Sequence, residues 1–229
     1  MRHLFAFLIL AAVKTAAGLL FPCRHRWLTA PPADPWTGDI RLFVFLNHTS
    51  LYEPVFVQIL PYRYLWQLSA HANVPAADVT LNRPLVGRFW KLMIPNIAGV
   101  TRRNDGSWET YLASIKNDEV VLIAPEGRMK RPNGLDKYGR PMTVRGGVAD
   151  IIQRLDSGAM VLCLSGGLHH VQAPGEHVPK VFRRITANLA YLDLKSYRAG
   201  LPGDFREQKL AIVQDLQRRL ERDCPPQNV

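Results

Sequence analysis

A chain of 229 residues, 47% of them hydrophobic, suits one domain with a sizeable core. Its 29 Lys and Arg against 19 Asp and Glu leave a net charge of +10, which calls for anionic partners such as phospholipid surfaces or phosphorylated substrates. No zinc-finger spacing or stacked RNA-binding aromatic motif is present, which sets nucleic acid aside, and three widely separated cysteines (Cys23, Cys163, Cys224) imply neither a disulfide framework nor a metal site.

Leu4 to Phe21 is almost wholly apolar, is interrupted by Lys14, and is flanked by Arg2-His3 and Arg24-His25-Arg26. Spanning a bilayer takes about 20 apolar residues, so the run is marginal in length. It predicts an uncleaved membrane-associating helix, monotopic or shallowly inserted, whose basic flank meets anionic headgroups. A signal peptide cleaved near Ala16-Ala17 is the competing reading. Pro22 to Gly38, rich in Pro and Trp, reads as an interfacial linker. Residues 1–38 are therefore assigned to anchor and linker, and 39–229 to the main domain.

Beyond the linker, strand and helix signals alternate. Arg41–Leu46 predicts a strand and Pro54–Leu60 a short helix with Ser50 as a suitable N-cap. Tyr64–Ser69 is a strand candidate. Leu85–Met93 predicts a helix with Arg88 and Lys91 on its wetter side, and Ile97–Thr101 a short extended segment. Asp105–Lys116 is helical, with Trp108, Leu112 and Ile115 at spacings of four and three. Glu119–Ala124 is a strand, Val144–Leu155 a helix beginning near Gly146-Gly147, and Ala159–Leu164 a strand. Val181–Leu192 contains one or two strands. Phe205–Glu221 is an amphipathic helix with Ile212/Val213, Leu216 and Leu220 on one face. The alternation predicts an α/β fold, a central mixed sheet flanked by helices.

Two segments carry the chemistry. The octet Asn47-His48-Thr49-Ser50-Leu51-Tyr52-Glu53-Pro54 follows the first strand and holds a histidine and a carboxylate five positions apart. On an ideal helix that spacing is a rotation of about 140°, so the two side chains would diverge. To cooperate, His48 must precede the helix and the chain must fold back so that Glu53 reaches its ring. A histidine held in this way is what a general base needs: the carboxylate fixes its tautomer and steadies the imidazolium. The second segment, Val120 to Arg131, is a buried-type strand that ends in Pro125-Glu126-Gly127-Arg128 and a basic cluster.

Together these segments resemble the glycerolipid acyltransferases of the lysophosphatidic acid (1-acyl-glycerol-3-phosphate) acyltransferase type. Asn47, His48, Glu53 and Pro54 match that family's first motif, with Glu in place of Asp. Pro125, Glu126, Gly127 and Arg128 match a variant of its third. Ile97 to Arg103 falls where the second motif is expected, with Arg102 the better-aligned arginine, and without the aromatic and acidic residues usual before it. Val161 to Ser165 has the hydrophobicity of the fourth motif and lacks its proline. The resemblance covers about residues 40 to 170.

It implies an acyltransferase domain that moves a fatty acyl group from acyl-CoA or acyl carrier protein to a lysophospholipid hydroxyl in phospholipid biosynthesis. The thioester is then a co-substrate, and neither metal nor prosthetic group is called for. His48 would be general base with Glu53 supporting it. Arg102, Glu126, Gly127 and Arg128 would serve substrate binding. Glu126 has two readings: a hydrogen bond to an acceptor hydroxyl, or a structural role that fixes the Gly127 turn and pairs with Arg128. Lys130, Arg131 and Lys137 form a flexible basic loop. The implied partners are the donor thioester, the lysolipid acceptor, an anionic membrane surface and, as one donor, an acyl carrier protein. The implied place is the cytoplasmic face of the cell membrane.

The acyl chain needs a long apolar slot, for which Phe43, Phe45, Phe56, Trp90 and Met93 are candidates. The departures from the motifs leave room for another acceptor, such as a lyso-ornithine lipid, or for a non-catalytic lipid-binding protein. A secreted hydrolase built on Ser165-Gly166-Gly167 or His169-His170 finds no Gly-x-Ser-x-Gly elbow to support it.

Overall fold

The computed structural model describes residues 2–36, 39–101, 103–176 and 178–226. In chain order the elements are α1 (Arg2–Leu20), β1 (Cys23–Trp27), β2 (Ile40–Leu46), a 3-10 helix (Glu53–Ile59), α2 (Tyr62–His71), β3 (Ala72–Ala77), α3 (Asp78–Leu81), α4 (Pro84–Met93), β4 (Asn96–Val100), α5 (Ser107–Ser114), β5 (Val120–Ile123), α6 (Gly147–Arg154), β6 (Ala159–Ser165), β7 (Ile185–Asp193), α7 (Leu194–Ala199) and α8 (Phe205–Asp223). Seven strands form one mixed sheet in the order β1-β7-β6-β2-β5-β3-β4. Every neighbouring pair is parallel except β6 with β7.

The middle of the sheet is the most apolar part of the sequence. Every residue of β6 is buried, and β2 is buried at five of its seven positions. Strands covered on both faces read as continuous hydrophobic runs, which is why they are visible in the sequence. The pleat then divides β2 between two cores. Leu42, Val44 and Leu46 pack with α5, α6 and α8, against Ile151, Ile152, Ile212 and Leu216. Phe43 faces the other way, toward Tyr64, Leu65 and Leu68 of α2 and Met93 of α4.

Helix α1 belongs to this second layer. Ala6, Leu10 and Ala17 are buried, Leu10 within that layer, and polar contacts fasten the helix at its first turn and at Lys14. Arg2 donates to Pro95 O at 2.9 Å, His3 Nε2 lies 2.9 Å from Trp66 O, and Lys14 donates to Gln58 O at 2.6 Å. The lysine that interrupts the apolar run thus turns inward onto a backbone carbonyl. By length and composition α1 could cross a membrane; an N-terminal signal sequence has the same character.

Three local expectations change. Tyr64–Ser69 is not a strand: it lies within α2, where Tyr64, Leu65, Leu68 and Ser69 are buried with helical spacing. The strand is the next segment, β3, whose sequence ANVPAA is poor in β-formers and contains Pro75. Only Ala72 and Asn73 pair with β5, so the proline falls where that ladder has ended. The stretch read as linker contains β1, which pairs with β7 from Cys23 to Trp27. Its exposed Arg24, His25 and Arg26 hide the strand signal and also blunt a sheet edge. Val181–Leu192, read as one or two strands, holds the single strand β7.

Because β2, β3, β4, β5 and β6 run the same way, their carboxyl ends share one edge of the sheet. β2 lies between β5 and β6. The segments after these three strands, which begin at Asn47, Ala124 and Gly166, are therefore brought together. The carboxyl edge is where open α/β sheets ordinarily hold ligands.

Candidate active site

The site is assembled around the turn after β2. Asn47 takes a left-handed backbone (φ 67°), a conformation asparagine tolerates better than most residues. Its side-chain amide donates to Ser165 O at 2.9 Å, which ties the end of β2 to the end of β6. Glu53, the first residue of the 3-10 helix, then closes the turn. Its Oε1 accepts from the backbone N–H groups of Thr49 (2.8 Å) and Ser50 (2.9 Å). Its Oε2 lies 3.0 Å from His48 Nδ1.

One carboxylate therefore gathers the backbone and the histidine ring together. Oε2 has no hydrogen bond of good alignment, so its approach to Nδ1 is a close charge contact set off the ring N–H axis. Burial disfavours the charged ring, but the charge of Glu53, its contact with the ring and the charge of Glu126 outweigh it. His48 consequently titrates above an ordinary imidazole. With Nδ1 committed to Glu53, Nε2 is the nitrogen left for proton transfer.

Ser50 does not cap the 3-10 helix. Tyr52 occupies the cap position without a side-chain bond. The Ser50 hydroxyl instead donates to Gln172 Oε1 at 2.6 Å and accepts from Tyr52 N at 3.2 Å. Thr49 Oγ1 accepts from Leu168 N at 2.8 Å. The loop after β6 is thereby stitched to the turn after β2. Ser165 is buried, and its hydroxyl accepts from Gly167 N.

Glu126, brought in from β5, is almost fully buried. Its Oε1 accepts from Asn47 N at 2.6 Å and His48 N at 3.2 Å. It therefore grips the backbone of the histidine while Glu53 approaches the ring. Burial pushes its carboxyl above the usual range, against the backbone N–H groups and the His48 charge that pull it down. Its Oε2 is buried without a hydrogen-bond partner among the described residues. Gly127 has φ +67°, and a Cβ there would meet open space, so glycine is needed for its conformation and not for room.

Arg128 pairs with Asp136 and not with Glu126, and its guanidinium also lies 4.8 Å from the Tyr138 ring centre. Burial alone would raise the Asp136 carboxyl, but the Arg140 N–H, the Arg128 guanidinium and the Tyr138 N–H together pull it down to about 2. The basic segment expected to be a flexible loop is thus folded around a buried aspartate that sequence reasoning missed. Lys130 N, moreover, donates to His48 O at 2.8 Å. Arg102 lies outside the described residues.

Beside the His48–Glu53 pair is a cavity of about 210 Å³. His48 and Glu53 line it at one place, and nearly all the rest of its wall is apolar. Phe43, Phe45, Phe56, Trp90 and Met93, the five candidates for an acyl slot, all contribute, and Leu10 of α1 forms part of the wall. Among the described residues no cluster of three or more His, Cys, Asp or Glu could hold a metal ion. Compared with known proteins, the chain matches no protein-family model, and no curated protein matches it.

Proposed function

We propose that the protein is a membrane-associated O-acyltransferase that moves a fatty acyl group from acyl-CoA or acyl carrier protein to a lysophospholipid hydroxyl, in phospholipid biosynthesis. The observation that carries this reading is the histidine–carboxylate pair, 3.0 Å apart, set in the wall of an otherwise apolar cavity at the carboxyl edge of the sheet. The cavity suits a hydrocarbon chain, and the pair suits activation of an alcohol beside it.

In the proposed reaction, His48 Nε2 takes the proton of the acceptor hydroxyl as its oxygen attacks the thioester carbonyl. The C–S bond then breaks, and the proton passes from the imidazolium to the departing thiolate. Glu53 steadies the imidazolium between these events. Glu126 holds the His48 backbone, so the base does not drift from the carbonyl it serves. No acyl-enzyme is required. Arg102 and the donors of Arg128 not engaged by Asp136 are assigned to the acceptor phosphate, where a guanidinium binds bidentately. Gly127 lets the backbone approach closely. Helix α1 and the excess of basic charge favour an anionic membrane surface, and we place the protein on the cytoplasmic face of the cell membrane.

The test is acyl transfer by the full-length protein in detergent. Labelled acyl-CoA and acyl carrier protein thioesters are offered with lysophosphatidic acid and a panel of other lysolipids, and His48→Ala is run in parallel. Product with one acceptor, lost in the variant, supports the reading and names the substrate. Equal product from the variant, or none from any pair, sinks it.

A further inference from the structure

The loop from Val178 to Arg184 has no part in the site described above. It carries three apolar side chains in the open: Val178 is 77% exposed, Phe182 71% and Val181 39%. Between and beside them are the exposed cations Lys180, Arg183 and Arg184. Phe182 also has a left-handed backbone (φ 61°). For a bulky residue that conformation is a genuine outlier and carries strain. Here the strain brings no burial in return.

The position of the loop points to what would use such a side chain. Phe182 N donates to Leu20 O at 2.6 Å, so the loop is fastened to the last residue of α1. Leu19, next to it, is 72% exposed. Leu20 also lines a second, apolar hollow of about 480 Å³ between α1 and α4, together with Leu85 and Phe89. Those two are themselves 81% and 40% exposed. Apolar groups from three separate segments thus surround one end of α1. The loop's cations are joined there by Arg24, which is exposed and opposite Thr186 at the start of β1. Glu176 is paired with Lys180 and is the nearest acid in sequence.

We propose that this loop is a second bilayer-docking element: Phe182 and Val178 enter the acyl region while Lys180, Arg183 and Arg184 bind anionic headgroups. Charge complementarity and continuity with the exposed apolar end of α1 favour an anionic bilayer over a second copy of this equally basic chain. The proposal rests on the reading of α1 as membrane-associated and adds a specific contact to it.

The experiment uses the full chain with phosphatidylglycerol–phosphatidylcholine vesicles and with phosphatidylcholine alone. Phe182→Trp, compared with wild type, should gain a fluorescence component quenched by lipids brominated along the acyl chain. Phe182→Gly should weaken vesicle binding by about 5- to 10-fold. Glycine adopts positive φ freely, so its melting temperature should not fall, which removes misfolding as an explanation. Lys180→Ser/Arg183→Ser/Arg184→Ser should lose on the order of 100-fold on anionic vesicles and little on zwitterionic ones, at roughly tenfold or less per cation. Wild type that binds vesicles while the introduced tryptophan stays unquenched and both other variants bind normally overturns the proposal. So does a Phe182→Gly variant that dissociates a dimer and binds lipid unchanged. These readouts need no turnover: quenching in the Phe182→Trp variant without acyl transfer would remove the proposed reaction and keep the docking.

Discussion

Two glutamates converge on one histidine, each holding two backbone N–H groups, but only one of them reaches the ring. Glu53 is five residues away in sequence and divides its carboxylate between two local N–H groups and the imidazole. Glu126 comes from another strand, is more deeply buried, and touches only the backbone of Asn47 and His48. Both carboxylates raise the His48 pKa, Glu53 by charge and contact and Glu126 by charge; in the proposed reaction Glu53 supports the ring and Glu126 positions its backbone. A carboxylate in a signature sequence can therefore act through the main chain, and its residue type does not reveal which of the two roles it has.

Substitutions can break or sharpen this contrast. The largest effect is expected from His48→Ala, which should lower kcat by roughly 10²- to 10⁴-fold with little change in melting temperature. Glu126→Ala comes next and should read as stability: two buried N–H groups lose their acceptor, at about 2–4 kcal/mol in a denaturant titration. Glu126→Gln keeps an acceptor oxygen and should cost clearly less. If Glu126→Ala were as stable as wild type and simply inactive, the positioning role would be wrong.

Glu53→Gln should lower kcat by about 10- to 100-fold and also move the pH profile. In the proposed reaction the base must be neutral, so the rate should rise with pH through the His48 pKa, which Glu53 helps hold above the ordinary value. Removing that charge lowers the pKa, and the acid limb should shift to lower pH even as the plateau falls. An unmoved limb would mean that Glu53 does not act on the ring. The smallest effect is Gly127→Ala: its Cβ meets nothing, so the left-handed backbone alone should cost about 1 kcal/mol of stability.

What could be read from the sequence followed burial and locality. β2, β5 and β6 were visible because central strands are apolar on both faces. β1 and β3 were not, one being a charged edge and the other a run of small residues with a proline. In the site, the His48–Glu53 pair could be foreseen, since five residues can fold back on themselves. The grip of Glu126 on Asn47 spans 79 residues, and no local pattern signals a side chain aimed at a distant backbone. The Arg128–Asp136 pair was missed for a different reason: a basic segment looks solvated until the single acid at its centre is known to be buried.

Helix α1 has one further consequence. Leu10 is part of the cavity wall, while Arg2, His3 and Lys14 fasten the same helix to the globular body. The apolar N-terminal helix and the cavity wall are one object. A helix that peeled away, or was clipped off near Ala17, would leave an unroofed chamber open to water. Trimming the N-terminus to obtain a more tractable protein would remove more than its attachment. It would open an apolar chamber to water, which in the proposed reaction would favour hydrolysis over transfer.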